Sequence, residues 1–167
     1  MKKLLILLLL VPSLCWGADF EKGLTAASQG DYATAIKEWT PLAEQGNASA
    51  QFNLGIMYDY GKGVLQNYKT ALKWYTLAAK QGDAGAQNNL GLYYDSGKGV
   101  VQNYKTAVKW YTLAAEQGLA QAQFNLGLRY GKGQGVIQDN IYAHMWFNIA
   151  ASSGDSEAAD NRTIAEK

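Results

Sequence analysis

The sequence predicts an all-α fold: a right-handed α/α superhelical solenoid of antiparallel helix pairs. Three observations predict it. A unit of 36 residues occurs three times without gaps, both halves of each unit space apolar residues as a helix does, and capping residues bound the halves. Because a single helix pair cannot bury its apolar faces alone whereas stacked pairs can, the repetition indicates a solenoid with capped ends.

The three copies run from Ala48 to Gly82, from Ala84 to Gly118 and from Ala120 to Gly154. The same residue recurs in every copy at four places: Leu54, Leu90 and Leu126; Gly55, Gly91 and Gly127; Tyr58, Tyr94 and Tyr130; Trp74, Trp110 and Trp146. Residues 31–46 match the second half of a copy, and a trailing copy begins at Asp155. We therefore predict a partial repeat over 18–46, full repeats over 47–82, 83–118 and 119–154, and a C-terminal capping segment over 155–167.

Each half of a copy predicts one helix. The second half has an apolar stripe at i, i+3, i+4, i+7 and i+8, formed in the first copy by Ala71, Trp74, Tyr75, Ala78 and Ala79. The first half has a shorter stripe, formed by Ala50, Leu54, Gly55 and Tyr58. We expect the small residues to let helices approach closely and the large rings to fill the space between layers.

Capping residues predict where these helices begin and end. Asn67, Asn103 and Asp139 stand at the N-cap of the second helix, and Gly82, Gly118 and Gly154 follow its end. Asp83 and Asp155 are suited to cap a first helix. Leu119 cannot cap one, so we expect a looser start there.

Residues 1–17 have the anatomy of a secretory signal peptide. Lys2 and Lys3 precede an apolar run over residues 4–11, which is shorter than the roughly 20 residues of a bilayer-spanning helix. Cleavage after Gly17 is preferred, because cleavage after Ala18 would put bulky Trp16 at a small-residue position. We expect an exported bacterial-type protein, placed in the periplasm, with secretion as the alternative.

Cys15 is the chain's one cysteine and leaves with the leader. Its lipidation stays as an alternative, although Leu14 stands where a small residue normally precedes a lipidated cysteine. Loss of the leader also leaves 13 basic against 14 acidic residues, so the mature chain has no basic surplus for nucleic acid or an anionic membrane surface. We predict neither nucleic-acid binding nor stable membrane insertion.

The residues predict no catalytic or metal site and no cofactor. One histidine, His144, without a mature cysteine excludes a His/Cys metal centre, and a structural role suits it better than catalysis. The segments Gly61-Lys62-Gly63 and Gly97-Lys98-Gly99 lack the spacing of a phosphate-binding loop and indicate turns. Asp59 and Asp95 lie one repeat apart, at the outer edge of the separation of inverting-glycosidase carboxylates.

The pattern A-x-A-x-x-x-L-G-x-x-Y-x-x-G-x-G-V followed by A-x-x-W-Y-x-x-A-A-x-x-G resembles the Sel-one-like repeat (SLR) family, a relative of tetratricopeptide repeats. The resemblance covers nearly the whole mature chain. The third copy departs from it, because residues 131–135 read Gly-Lys-Gly-Gln-Gly in place of Asp-x-Gly-Lys-Gly. The resemblance implies a curved superhelix with an adaptor or scaffold role, often in bacterial envelope assembly or host interaction.

The tetratricopeptide architecture further implies that the first helix of each pair lines the concave face. In that register the candidate partner-binding residues are Ser49, Phe52, Asn53, Ile56, Asp59, Tyr60, Asn88, Asn89, Leu92, Asp95, Gln121, Phe124, Asn125, Leu128 and Lys132. Phe52 and Phe124 would be exposed aromatic anchors, or be partly buried against the next helix. Asn53, Asn89 and Asn125 would hold a peptide backbone or, as we prefer, brace neighbouring helices.

These observations predict a non-enzymatic scaffold that binds a protein or peptide partner on its concave face. Two alternatives remain. One is a hydrolase-like activity on cell-wall or β-lactam substrates, which some exported family members are described as having. The other is a secreted, host-interacting factor.

Overall fold

The computed structural model describes residues 18–153, and the regular structure in that range is entirely helical. The helices are α1 (Phe20–Ser28), α2 (Tyr32–Glu44), α3 (Ala48–Tyr60), α4 (Tyr68–Lys80), α5 (Ala84–Ser96), α6 (Tyr104–Glu116), α7 (Ala120–Lys132) and α8 (Asn140–Ser152). The predicted leader over 1–17, the capping segment over 155–167 and the proposed end at Gly154 lie outside the described residues.

Helices adjacent in the chain are adjacent in space. The closest packing is within the pairs α1–α2, α3–α4, α5–α6 and α7–α8, and each pair also packs on the next through its second helix. This arrangement confirms the predicted all-α solenoid of helix pairs. It places α3, α5 and α7 in one row of first helices, and α4, α6 and α8 in a parallel row of second helices.

The helix starts follow the predicted caps. The Asn67 side chain accepts a hydrogen bond from the Thr70 amide at 3.0 Å, and Asn103 and Asp139 cap α6 and α8 in the same way. Asp83 caps α5 through the Ala86 amide at 2.7 Å. Leu119 makes no side-chain cap bond at the start of α7, as expected. Each cap satisfies an amide that the helix itself leaves without a partner.

A buried aromatic ring lying over a helical glycine closes each pair. The rings are Trp39, Tyr75, Tyr111 and Phe147 on the second helices, and the glycines beneath them are Gly23, Gly55, Gly91 and Gly127 on the first helices. A Cβ atom placed on Gly91 would lie 2.4 Å from ring carbons of Tyr111. Only glycine allows this approach, so the glycines recurring in the three full copies are packing residues.

A ladder of buried glutamines connects successive pairs. The Gln87 side chain donates to the Ala79 carbonyl of the preceding pair at 3.2 Å, and it accepts from Gln117 at 2.7 Å. Gln51 repeats both contacts one copy earlier, with Ala43 and Gln81. Since buried amides cost free energy unless they are hydrogen-bonded, these bonds also fix the register between pairs.

Candidate functional site

The row of first helices holds all the predicted binding residues, but they differ in exposure. The exposed ones are Ser49, Tyr60, Leu92, Gln121 and Lys132. The half-buried ones are Phe52, Asn53, Ile56, Asn89, Asp95 and Leu128. The buried ones are Asp59, Asn88, Phe124 and Asn125. A partner that met this face would therefore contact chiefly the first two groups.

The expectation of an exposed aromatic anchor is wrong for Phe124. This side chain is 7% exposed, and its ring packs against Phe147 with 5.6 Å between the ring centroids. Phe52 is half-buried, 6.0 Å from the Tyr75 ring by the same measure. Both rings pack on the second helix of their own pair, as the alternative interpretation held.

Two recurring asparagines contact neighbouring helices. Asn125 donates to the Asn88 side chain at 3.1 Å, which joins α7 to α5. Asn89 of α5 lies near the Tyr75 hydroxyl of α4, where it opposes the rise of the pKa of that phenol. These contacts favour the bracing role over capture of a peptide backbone.

Four of the predicted residues converge on one pocket between α3 and α5, which we call the inter-repeat pocket. Its volume is about 110 Å³, the space of three or four water molecules. It is lined by Asp59, Tyr60, Asn89, Leu92, Tyr93, Ser96 and Lys98. The lining combines an ion pair, several hydrogen-bonding groups and one apolar side chain, so it is suited to a polar segment with a small side chain.

An ion pair between successive repeats forms one wall of this pocket. Lys98 Nζ lies 2.6 Å from Asp59 Oδ1, and the Tyr75 hydroxyl donates to Asp59 Oδ2 at 3.3 Å. The ammonium group also lies 4.3 Å from the centroid of the Tyr68 ring, within cation–π range. The lysine of one repeat thereby holds the carboxylate and an aromatic ring of the repeat before it.

The third copy makes the same connection with a different residue. Gln134 occupies the place of Lys98, and Arg129 of α7 instead brings its Nη1 atom 2.9 Å from Asp95 Oδ1. Gln134 accepts a hydrogen bond from Arg129 at 2.6 Å. Burial raises the pKa of the Asp95 carboxyl, and the charges of Arg129 and Lys132 oppose that rise. Arg129 of α7 thus supplies the positive charge that is missing at position 134.

Sequence reasoning missed Lys98 and Tyr93 as site residues. The turn interpretation of residues 97–99 is correct for the glycines, since Gly97 and Gly99 adopt φ of +73° and +68°. The lysine between them, however, reaches the preceding repeat. Its signal was the combination of Asp59 in one copy with Lys98 in the next, which the third copy replaces by Gln134 together with Arg129.

Three buried tyrosines near the two ion pairs between repeats predict a loss of stability at alkaline pH. Burial raises the pKa of Tyr75, Tyr93 and Tyr111 above the ordinary phenol value, and the Asp59 or Asp95 carboxylate nearby adds to the rise. Because the folded state favours the neutral phenol, their contribution is complete below the unfolded-state pKa of about 10 and is lost as pH rises through the folded-state value. Each tyrosine then adds a slope of up to about 1.4 kcal/mol per pH unit.

Urea unfolding between pH 9 and 11.5 measures this slope. We expect Tyr111→Phe to reduce the slope of the unfolding free energy against pH by the contribution of about one proton, up to about 1.4 kcal/mol per pH unit. The reason is that phenylalanine cannot ionise in the unfolded state. A Tyr142→Phe variant, which changes an exposed ring, is the control. Equal slopes for wild type and Tyr111→Phe would contradict the prediction.

A second opening lies between the C-terminal part of α2 and α4, and sequence reasoning did not find it. This groove of about 560 Å³ is lined by Ala43, Glu44, Gly46, Gln51, Lys73, Trp74, Leu77, Lys80 and Gln81. Lysines flank its apolar floor of Trp74 and Leu77. It offers a competing surface that any binding experiment has to separate from the inter-repeat pocket.

His144 lies in α8, and its ring contacts a side chain of the same helix. His144 is half-buried, and its Nδ1 atom lies 2.9 Å from the Asn148 amide nitrogen one turn along α8. Residues 18–153 contain no group of three or more His, Cys, Asp or Glu side chains placed to hold a metal ion. In the same range, no helix is long and apolar enough to cross a bilayer.

The repeat units match a known family. The model of the Sel1 repeat matches residues 48–83, 84–119 and 120–155. The chain belongs to the Sel1 repeat family. Sel1 repeats are generally protein-interaction scaffolds, and the family is typically non-catalytic.

Solved structures of Sel1 repeat proteins share the fold. A Sel1 repeat protein from Oxalobacter formigenes has a TM-score of 0.83 and 36% identity, over 87% of this chain and 60% of its own. A protective antigen of uropathogenic Escherichia coli strains, with an SLR fold, has a TM-score of 0.80 and 35% identity, over 83% of this chain and 31% of its own. The chain thus spans less than two thirds of either relative.

A more distant structure agrees in fold alone. Helicobacter pylori cysteine rich protein B has a TM-score of 0.58 and 18% identity, over 86% of this chain and 97% of its own. No curated protein matches the chain.

Proposed function

We propose that this Sel1 repeat protein is a non-enzymatic scaffold of the bacterial envelope that binds an extended peptide or protein segment on its concave face, with the inter-repeat pocket as the central contact. One observation carries the proposal. Asp59, Tyr60, Asn89 and Leu92, selected from the repeat register, line a single pocket. They lie on α3 and α5, so a ligand that crosses the boundary between the two repeats would meet them together.

The chemistry of the pocket suits a peptide. Tyr60 and Ser96 bring hydroxyl groups to an extended backbone, and the Lys98 ammonium adds a positive charge beside the Asp59 carboxylate. Leu92 supplies apolar contact at the rim. The small volume of about 110 Å³ admits one modest side chain, so neighbouring residues of the ligand would lie along the first-helix row.

A matched pair of variants tests the binding face. Leu92 on α5 and Leu113 on α6 are 41% and 43% exposed, so arginine should be tolerated equally at both. Peptides selected from a random display library on the wild-type protein provide the probe, and calorimetry measures their affinity. We expect Leu92→Arg to weaken binding at least tenfold, and Leu113→Arg to leave it within about twofold, because only Leu92 lies in the pocket.

A third variant, Leu77→Arg, tests whether the peptides bind instead in the groove between α2 and α4, which Leu77 lines. Loss of binding in Leu77→Arg with full binding in Leu92→Arg would place the site in that groove and refute our proposal. Equal losses in Leu92→Arg and Leu113→Arg would refute it as well.

The same proposal includes export, which rests on residues 1–17. Cell fractionation of the full chain and of a variant lacking residues 2–17 tests this part. We expect the full chain in the periplasm and the shortened chain in the cytoplasm. Protein without the leader in the culture medium would favour the secreted, host-interacting alternative, which the similarity to a protective antigen supports.

The non-enzymatic part is tested by turnover. We expect no hydrolysis of β-lactam or peptidoglycan substrates by the wild-type protein. Hydrolysis that disappears in His144→Ala would overturn this part. The binding measurement would be judged on its own result.

A further inference from the structure

The exposed side of α8 differs from that of α4 and α6. Where α4 has Lys69 and Lys73, and α6 has Lys105 and Lys109, α8 has Ile141 and Met145. These six positions are exposed in all three helices. The helix α8 contains no Asp, Glu, Lys or Arg, so the third copy has exchanged a charged surface for an apolar one.

The two exchanged positions extend a stripe with Ile149, whose place is also apolar in α4 and α6, as Leu77 and Leu113. Ile141, Met145 and Ile149 are 83%, 39% and 36% exposed, and their spacing of four residues puts them on one face over about 12 Å. We call this set the α8 stripe. Tyr142 beside it stacks on Tyr130, with 5.3 Å between the ring centroids, which anchors the start of the helix.

Stacking of helix pairs does not account for the stripe. The positions equivalent to Ile141 and Met145 stay exposed in α4 although α5 packs on that helix, and in α6 although α7 packs there. The next pair of a solenoid therefore leaves this side of a second helix uncovered. An apolar stripe there needs an occupant from outside the stack.

We propose that the α8 stripe is a self-association surface, on which a second copy of this chain packs antiparallel to the first. The order Ile141-x-x-x-Met145-x-x-x-Ile149 is the same read from either end. In a two-fold pairing Met145 meets the partner's Met145 on the axis, and Ile141 meets the partner's Ile149. The stripe is thus complementary to itself, which an isologous interface requires.

The charges favour a second copy over an unrelated partner. In the same pairing only the residue on the two-fold axis meets its own equivalent, so Lys73 of α4 or Lys109 of α6, at the place of Met145, would repel the same lysine of a second copy. Met145 in α8 removes that repulsion. A single pair of helices buries less than the roughly 1,200 Å² of a standard interface, so we expect a weak dimer with a dissociation constant on the order of 100 µM.

Single cysteines test the geometry of the pairing. In exported protein purified from cells expressing the full chain, Met145→Cys places two thiols on the axis, and we expect a disulfide-linked dimer under mild oxidation. Ile141→Cys should stay largely unlinked alone and should form a mixed disulfide with Ile149→Cys protein. The chain without these substitutions controls for Cys15.

Opposite charges test whether the same contact holds the dimer in solution. In sedimentation velocity from about 10 µM to 1 mM, Met145→Lys and Met145→Glu should each be monomeric, because two like charges meet on the axis. An equimolar mixture of the two should dimerise again. Leu113→Lys, on the neighbouring helix, should dimerise as the wild type does.

Several results would overturn the proposal. One is a wild-type monomer at 1 mM, and another is a dimer that Met145→Lys leaves intact. A monomer whose Met145→Cys thiol resists alkylation would indicate cover by residues 154–167 instead. A monomer that binds phosphatidylglycerol vesicles through the stripe, with binding lost in Met145→Lys, would indicate a lipid surface.

Discussion

Replacing Tyr111 with alanine is expected to lower the free energy of unfolding by about 3–5 kcal/mol, the range found for truncating a buried aromatic ring. The ring is fully buried and packs over Gly91. Its removal leaves a cavity between α5 and α6 that neither helix can close, because each is also held by its neighbours. Urea denaturation followed by circular dichroism measures the loss.

A double-mutant cycle with Gly91→Ala identifies the contact responsible. Gly91→Ala alone should cost about 1–3 kcal/mol, because its Cβ would lie 2.4 Å from carbons of a ring that cannot retreat. In Tyr111→Ala/Gly91→Ala the new methyl group occupies part of the void. We therefore expect the double variant to be more stable than the sum of the single effects predicts, by at least about 0.5 kcal/mol.

Gly131→Ala is the matched control for the glycine substitution. Gly131 lies in α7, and its Cβ would meet only Ala143 Cβ, at an ordinary 3.6 Å. Helix propensity should then dominate and stabilise the protein by about 0.5–1 kcal/mol. Changes of the same sign at Gly91 and Gly131 would show that the aromatic ring does not decide the outcome.

Asp59→Ala should lower the free energy of unfolding by about 2–3 kcal/mol. It leaves the Lys98 ammonium beside the Tyr68 ring without its counter-charge, and it removes the acceptor of the Tyr75 hydroxyl. The expected cost lies below the 3–5 kcal/mol of a fully buried pair, because the Lys98 side chain is 34% exposed. Urea unfolding again measures it.

Lys98→Gln, the residue found at the same place in the third copy, completes a second cycle. Asp59→Ala/Lys98→Gln should be more stable than Asp59→Ala, because the uncompensated charge is gone. Lys109→Gln, an exposed lysine on α6, should change stability by less than about 0.5 kcal/mol. A coupling energy near zero between Asp59 and Lys98 would show that the ion pair does not stabilise the connection between the repeats.

The fold was predictable because its determinants are local and recur. The caps Asn67 and Asp83 depend on residues three positions away, and the apolar stripes depend on helical spacing within one helix. Repetition then strengthens each signal, since a cap or glycine that recurs in three copies marks a position that the fold requires. The missing cap at Leu119 was predictable too, because it also depends on the one residue that precedes the helix.

The candidate site was predictable only in part, because exposure depends on the neighbouring repeat. Phe52 and Phe124 occupy the same place in their copies, yet Phe52 is half-buried and Phe124 is buried. Asp59 belongs to the predicted face and is buried because Lys98, 39 residues later, closes over it. Such contacts cross between repeats, where spacing along one helix carries no information.

By itself the sequence determined the period, the helices, their caps and the order in which the pairs stack, since each follows from spacing within about 36 residues. Only the tertiary structure decided which polar groups are joined between repeats. It joined Lys98 to Asp59, replaced that lysine by Arg129 in the next connection, and left the α8 stripe uncovered. The physical reason is that burial and charge pairing depend on distances in space between helices, which stacking sets and a linear pattern does not contain.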